Sequence, residues 1–130
     1  MIRVVRLPAA AALAAIASLS VPAGAADERM GVEVTCAKLG DTMTYDCVLL
    51  LKGMRSKQPI QGAAIVVGAD MPSMPMAHNV KPVNAEATGK PGEYRFRITL
   101  DMHGEWALKI RVAKPRQDLI IHKMMFKPAN

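Results

Sequence analysis

Two short segments of the 130-residue chain concentrate side chains that can bind a soft metal ion. Residues 70–78 read Asp-Met-Pro-Ser-Met-Pro-Met-Ala-His, and residues 101–104 read Asp-Met-His-Gly. Thioethers and imidazoles suit Cu(I), whereas magnesium and calcium prefer oxygen ligands. Alternate residues of an extended segment project from one side, so two Met and the His of the first segment would face the same way. We expect a copper site with three or four ligands drawn from Met74, Met76, His78, Met102 and His103.

Methionine is unusually frequent in this chain, with ten Met against only five aromatic residues. Methionine also fills irregular gaps in hydrophobic cores. A Met-Pro loop folded over the open end of a β-sandwich could therefore be a hydrophobic plug, and the residues alone leave the metal site and the plug equally open. His122-Lys123-Met124 adds a second His–Met pair, which an edge-strand pattern explains better than a pair of ligands.

The remaining sequence favours β-strands that hold these segments. Apolar and polar residues alternate with period two, without a sustained helical stripe, and Gly- or Pro-containing turns separate seven candidate strands. Their expected ranges are 31–38, 43–52, 59–68, 77–83, 92–100, 105–113 and 117–126. Seven short strands in roughly 100 residues indicate an all-β domain, a seven-stranded Greek-key sandwich of immunoglobulin-like type.

The order of these strands determines which loops lie close together. If consecutive strands run in opposite directions, successive loops alternate between the two ends of the sandwich. The loops at one end then contain a single methionine, Met54, and no histidine. The other end is expected to collect Met43, Met71, Met74, Met76, His78, Met102 and His103.

Alignment of apolar faces predicts the register of a first hairpin, because a one-residue slip would turn every side chain over. In this register Val34 lies opposite Leu49, and Cys36 lies opposite Cys47. Both Cys would face the core as cross-strand neighbours. Since thiols outside the cytoplasm are usually oxidised, we expect a Cys36–Cys47 disulfide.

A second predicted hairpin joins strands 92–100 and 105–113 through Met102-His103-Gly104, with glycine at the position where a G1 bulge requires it. Its register pairs Leu100 with Trp106 and brings basic residues face to face on the solvent side. These residues are Arg95, Arg97, Lys109 and Arg111. Opposed like charges destabilise a sheet. The basic face is either a plain solvated surface or a docking patch for an acidic partner or anionic headgroups. Without interleaved aromatic residues, nucleic acid is not an expected partner.

Residues 1–25 have the pattern of an export signal. Arg3 and Arg6 precede an apolar stretch of about 13 residues, and Ala23-Gly24-Ala25 forms a small-residue cleavage site. The stretch is too short to span a bilayer, which argues against an uncleaved anchor. We expect cleavage near Ala25, a periplasmic location and a single mature domain at 26–130.

The composition also excludes several classes of function. The length leaves no room for separate cofactor and substrate domains. The two Cys exclude a four-cysteine zinc site, and their spacing excludes a CxxC redox motif. The sequence contains no evident Ser/His/Asp arrangement or phosphate-binding loop, and we expect a protein that is not an enzyme.

The ordered series M-P-S-M-P-M-A-H, P-G-E-Y and D-M-H-G-E-W-A-L resembles the YtkA-like/FixH-like family of exported or membrane-anchored β-sandwich domains. The resemblance covers about residues 59–113. Family members are associated with copper handling and cytochrome oxidase assembly in the bacterial envelope, and some are fused to efflux components. The resemblance implies a periplasmic, metal-associated accessory protein, with the Met/His positions of the family at Met74, Met76, His78 and Met102. Unlike FixH itself, this chain is not expected to retain an N-terminal membrane helix.

These observations predict a Cu(I) chaperone, buffer or delivery factor, for copper resistance or cytochrome oxidase assembly. Its expected partners are a copper ion and an envelope metalloprotein, oxidase assembly factor or efflux component. The alternative is a metal-free envelope interaction module that presents its basic face to a partner.

Overall fold

Seven antiparallel strands make up the regular structure of this protein, for which a computed structural model describes residues 28–78 and 80–128. The strands are β1 (Met30–Lys38), β2 (Thr44–Gly53), β3 (Ala64–Asp70), β4 (Val83–Ala87), β5 (Glu93–Thr99), β6 (Gly104–Lys114) and β7 (Asp118–Phe126). The described residues form no helix that is long and apolar enough to cross a membrane. The predicted all-β class and the number of strands are confirmed. The predicted export signal at 1–25 lies outside the described residues.

The strands lie in the order β1-β2-β5-β4-β3-β6-β7. The short strand β4 joins two halves of this sheet, because residues 83–85 pair with β3 while Glu86 and Ala87 pair with β5. The edge strands β1 and β7 lie against each other, so the sheet curves almost into a barrel. This arrangement is compatible with the predicted Greek-key sandwich.

Side chains alternate between the enclosed core and solvent along the central strands. In β5, for example, Tyr94, Phe96 and Ile98 are buried while Arg95 and Arg97 are exposed. Burial of one large apolar side chain stabilises a fold by about 1.5–3 kcal/mol. The largest fully buried side chains are Trp106, Tyr94, Leu49, Leu51, Ile98, Leu108, Ile110 and Val67.

The first predicted hairpin is confirmed. Val34 pairs with Leu49 and Cys36 with Cys47 in the β1–β2 ladder. The two Cys form a disulfide, with their Cα atoms 4.1 Å apart. Apolar alternation was sufficient to predict this register because both strands have one buried face.

The second predicted hairpin is wrong. Strand β5 pairs with β2 and β4, placing Phe96 opposite Cys47, whereas β6 pairs with β3 and β7. Residues 100–103 therefore cross from one half of the sheet to the other. The expected Leu100–Trp106 pair and the opposed basic residues do not form. Alternating apolar residues indicate that a strand has one buried face, but they do not specify which strand lies beside it.

Two predicted strand ranges also need correction. The expected strand at 77–83 is mostly loop, and the fourth strand begins only at Val83. The expected strand at 59–68 begins at Ala64, while Pro59 forms an isolated bridge with Lys52. Proline cannot donate a backbone hydrogen bond, which explains why a continuous ladder does not include Pro59.

Successive loops alternate between the two ends of the fold as predicted, although the second predicted hairpin does not form. All paired strands are antiparallel, and strands that are consecutive in sequence run in opposite directions. The connections after β1, β3 and β5 therefore lie at one end. We call this end the methionine end; its described residues are 39–43, 71–78, 80–82 and 100–103.

Candidate metal site

Direct contacts join the three connections of the methionine end. The backbone N–H of Leu100 donates to the carbonyl of Met43 over 3.0 Å, which joins the first connection to the third. His78 Nδ1 lies 2.7 Å from Asp101 Oδ2, which joins the second to the third. A Cβ atom at Gly104 would lie only 2.8 Å from Met71 Cε, so the second connection also packs closely against the start of β6.

The imidazole of His78 has two differently placed nitrogens. Nδ1 is bonded to the carboxylate of Asp101, whereas Nε2 is buried and has no hydrogen-bond partner among the described residues. The His78 side chain is 11% exposed, and its ring lies 5.2 Å from the ring of Trp106, between centroids. A buried nitrogen without a partner is unusual, because buried polar atoms are nearly always hydrogen-bonded.

Met102 and His103 lie in the connection that precedes β6, three to four residues before Trp106. The indole Nε1–H of Trp106 donates to the carbonyl of Met102 over 3.1 Å, which anchors this connection to the core. The Met102 side chain remains 37% exposed. His103 is half-buried, and its Nε2 also has no partner in the described part of the chain. Two imidazole nitrogens without partners therefore occur at the same end of the fold.

Two methionines at this end are packing residues. Met71 is buried in the core cluster, and Met43 is half-buried against it. Methionine suits such irregular positions because its side chain is flexible. Met43 and Met71 therefore pack against the core in the way expected of the hydrophobic plug.

The predicted extended arrangement of Met74, Met76 and His78 is wrong. Residues 71–77 fold into consecutive turns, in which Met74 N–H donates to the Met71 carbonyl and Ala77 N–H to the Met74 carbonyl. Met76 has a positive φ of 62° and is 93% exposed, while Met74 is 38% exposed. Met76 and His78 nevertheless line the same surface pocket. Met76 therefore lies outside the buried part of the site.

The basic residues proposed as a docking face do not form one uninterrupted cationic patch. Arg95 makes a two-point ion pair with Asp46, and Lys109 Nζ lies 3.4 Å from Asp70 Oδ2. Hydrogen bonds from Arg95 hold the pKa of Asp46 below its ordinary value, and the same contacts raise the pKa of Arg95. Arg97 lies directly opposite Asp46 in the ladder, whereas Arg111 is on β6, in the other half of the sheet.

The second His–Met pair is on edge strand β7. His122 and Met124 are half-buried and pair with Leu108 and Trp106 in the β6 ladder, while Lys123 between them is exposed. This pattern is the edge-strand alternation expected from the sequence.

Two residues of the site were not assigned a role by sequence reasoning. Asp101 was visible in the Asp-Met-His-Gly motif, and Trp106 follows that motif closely. The signal that could have found Asp101 is a carboxylate in a loop expected at the same end as His78. Its pairing with His78 depends on loop conformations that periodicity does not specify.

The donor types available at the methionine end fit a soft metal ion. Within residues 28–78 and 80–128, no group of three or more His, Cys, Asp and Glu side chains is arranged to bind a metal. A metal site at this end would therefore need thioethers beside imidazoles. Thioether and imidazole ligands favour Cu(I).

Comparison with known proteins gives one match, to a protein family. Searches of curated proteins and of solved structures found no match. The YtkA-like family matches residues 26–111, which includes β1 to β5, most of β6 and all three connections of the methionine end. The match covers well over half of the chain and confirms the YtkA-like resemblance identified from the sequence. This protein belongs to the YtkA-like family.

Proposed function

We propose that this protein is an exported, non-catalytic accessory protein that binds copper as Cu(I) at the methionine end. In this role it would act as a chaperone, buffer or delivery factor for a copper protein of the bacterial envelope. The copper ion is its cargo. Membership of the YtkA-like family supports the accessory role.

One observation carries the proposal: His78 Nε2 is buried without a hydrogen-bond partner among the described residues, while Nδ1 is bonded to a carboxylate. Histidines that bind metals usually donate their second ring N–H to a carboxylate, carbonyl or water. His78 has this arrangement, with Nδ1 bonded to the carboxylate of Asp101. A buried nitrogen that bound no ligand would cost stability without a gain elsewhere.

The surrounding donors support Cu(I) over harder ions. His103 Nε2 also has no hydrogen-bond partner within residues 28–78 and 80–128, and the thioethers of Met74 and Met102 are accessible at the same end. We expect His78 to be the central ligand, with His103 and Met102 as the first candidates beside it. Met74 is a further candidate, and Met76 would join from the surface.

A Cu(I) competition titration tests the proposal. The metal-free protein, with its disulfide intact, is titrated against a chromophoric Cu(I) chelator under anaerobic conditions. We expect binding much tighter than micromolar, and a loss of affinity of about 100-fold or more in the His78→Ala/Met102→Ala variant, since even residues that only support ligands contribute 10–100-fold.

Met54→Ala is the matched control. Met54 is exposed and follows β2 at the opposite end of the fold, so its removal takes away one accessible thioether without changing the site. Its affinity should equal that of the wild type. Binding no tighter than micromolar would contradict the proposal. So would binding that is unchanged when Met74, Met76 and His78 are all replaced by Ala, because the methionine end would then be a plug.

A further inference from the structure

The Asp101–His78 hydrogen bond also determines which ring nitrogen of His78 carries the proton. A neutral imidazole carries one N–H, on either Nδ1 or Nε2, and the other nitrogen has a lone pair. An ionised carboxylate can only accept a hydrogen bond. In the neutral ring, Nδ1, which lies 2.7 Å from Asp101 Oδ2, therefore carries the proton, and the buried Nε2 has the lone pair.

Trp106 restricts the ring from a second direction. The indole is fully buried, and the two ring planes are inclined by 57° at a centroid distance of 5.2 Å. The indole N–H is already donated to the Met102 carbonyl, so it is not available to the His78 ring. Packing against Trp106 sets the plane of the His78 ring, and the hydrogen bond to Asp101 sets its rotation.

Asp101 itself is poorly placed to be a structural residue. Its side chain is 51% exposed, it lies in the connection between β5 and β6, and the one hydrogen bond that this side chain makes among the described residues is to His78. Because the carboxylate is half exposed to solvent, we expect the contact to contribute little to stability. The contact therefore does more to orient His78 than to stabilise the fold.

We propose that Asp101 is a positioning residue for the metal site: it holds His78 in the Nδ1–H form, so that Nε2 presents its lone pair to a soft cation such as Cu(I). This inference rests on the proposed function and deepens it. Asp101 is not expected to bind the metal itself, because Oδ2 accepts from the imidazole N–H and carboxylate oxygens are poor ligands for Cu(I).

The first test uses the metal-free protein, so that it does not depend on copper binding. Long-range ¹H–¹⁵N spectra of the His rings, recorded at about pH 8, well above the ordinary imidazole pKa of about 6.5, distinguish the two N–H forms. We expect the Nδ1–H form for His78 in the wild type and a shift toward the Nε2–H form in Asp101→Ala. Asp101→Asn keeps an acceptor oxygen and should restore the Nδ1–H form in part.

The second test measures Cu(I) affinity in the same variants. We expect Asp101→Ala to weaken binding by about 10–100-fold, the range found when supporting residues of metal sites are removed, with Asp101→Asn between it and the wild type. Asp41→Ala is the matched control. Asp41 is an exposed carboxylate in the β1–β2 connection at the same end, so its loss changes the local charge but not the His78 contact.

The outcomes separate the two proposals. A wild-type His78 in the Nε2–H form would overturn the inference, as would tight Cu(I) binding that Asp101→Ala leaves unchanged or that Asp41→Ala weakens equally. The proposed function would survive each of these results. Failure of the wild type to bind Cu(I) would overturn the proposed function, and with it the role of Asp101 at a metal site.

Discussion

The Tyr94 hydroxyl links two segments that no strand ladder connects. It donates to the Ile60 carbonyl over 2.7 Å and accepts from the Ala63 N–H over 2.9 Å. Tyr94 is on β5 and almost fully buried, so these bonds satisfy two backbone groups in the segment before β3. Tyr45 is also buried, but its hydroxyl has no partner in the described part of the chain.

The two tyrosines should therefore respond differently to loss of the hydroxyl. Tyr94→Phe leaves a buried donor and acceptor unpaired and should lower the free energy of unfolding by about 1–3 kcal/mol. Tyr45→Phe, the matched control, removes an unsatisfied polar atom and should be neutral or slightly stabilising. Urea unfolding followed by the fluorescence of Trp106 measures both. Equal losses in the two variants would show that the Tyr94 hydrogen bonds contribute no stability of their own.

At the candidate site, residue types were predictable but conformation was not. The expectation that His78 and Met102 lie at the same end needed only strand directions, which alternate as predicted. The expectation that Met74, Met76 and His78 share one side needed the backbone between them. That backbone forms consecutive turns, with Met76 in a left-handed conformation that non-glycine residues rarely adopt.

At the scale of the strands, local pairing was predictable and non-local pairing was not. The β1–β2 hairpin is closed by a short connection, and its two strands have only one register that buries both apolar faces. The segment joining β5 and β6 is equally short and is followed directly by Gly104, yet it crosses between halves of the sheet. Strand β5 instead pairs with β2 and β4. This pairing depends on contacts between strands that are distant in sequence, which local alternation does not specify.

The β1–β2 hairpin is also the element that the disulfide constrains. Cys47 is fully buried, and Cys36 is separated from it by 11 positions. A cross-link that closes a loop of this length stabilises a fold by about 3 kcal/mol, mainly because it restricts the unfolded chain. We expect the Cys36→Ala/Cys47→Ala variant to lose about that amount in urea unfolding at constant pH.

Reduced wild-type protein is the control for the change in side-chain volume. It keeps both sulfur atoms in place and loses only the covalent bond, so its stability should fall by nearly as much as that of the double variant. If reduction had no effect while the double variant was strongly destabilised, packing of the sulfur atoms and not the cross-link would be the source of the stability.

Over the whole molecule, the described groups whose pKa values are shifted lie on or beside β1, β2 and β5. Ion pairs Glu33–Lys52 and Asp46–Arg95 cover the outer side of β1, β2 and β5. Beside them, the carboxylate of Glu28 accepts hydrogen bonds from the backbone and hydroxyl of Ser56. The outer side of edge strand β7 instead exposes apolar side chains, and those with the largest exposure are Leu119, Ile121 and Met125.

This distribution makes the stability of the protein depend on pH in a defined direction. The Ser56 hydrogen bonds lower the pKa of Glu28, the Lys52 hydrogen bond lowers that of Glu33, and the Arg95 hydrogen bonds lower that of Asp46. The unfolded chain therefore binds more protons than the folded protein in acid. The stability from these groups is fully present above their ordinary pKa values, 4.5 for Glu and 3.8 for Asp, and is lost as pH falls through the lowered values.

We expect the urea midpoint to fall between about pH 6 and about pH 3, with a smaller fall in Glu28→Gln because one of the three shifted carboxyl groups is then absent. Glu105→Gln is the control, since Glu105 is exposed and forms no ion pair within residues 28–78 and 80–128. It should leave the size of the fall unchanged. Added salt should weaken the half-exposed Glu33–Lys52 pair more than the Glu28 contacts, because Glu28 depends mainly on hydrogen bonds from Ser56. A midpoint that rises in acid, or an equal fall in wild type and Glu28→Gln, would contradict the assignment of acid sensitivity to Glu28.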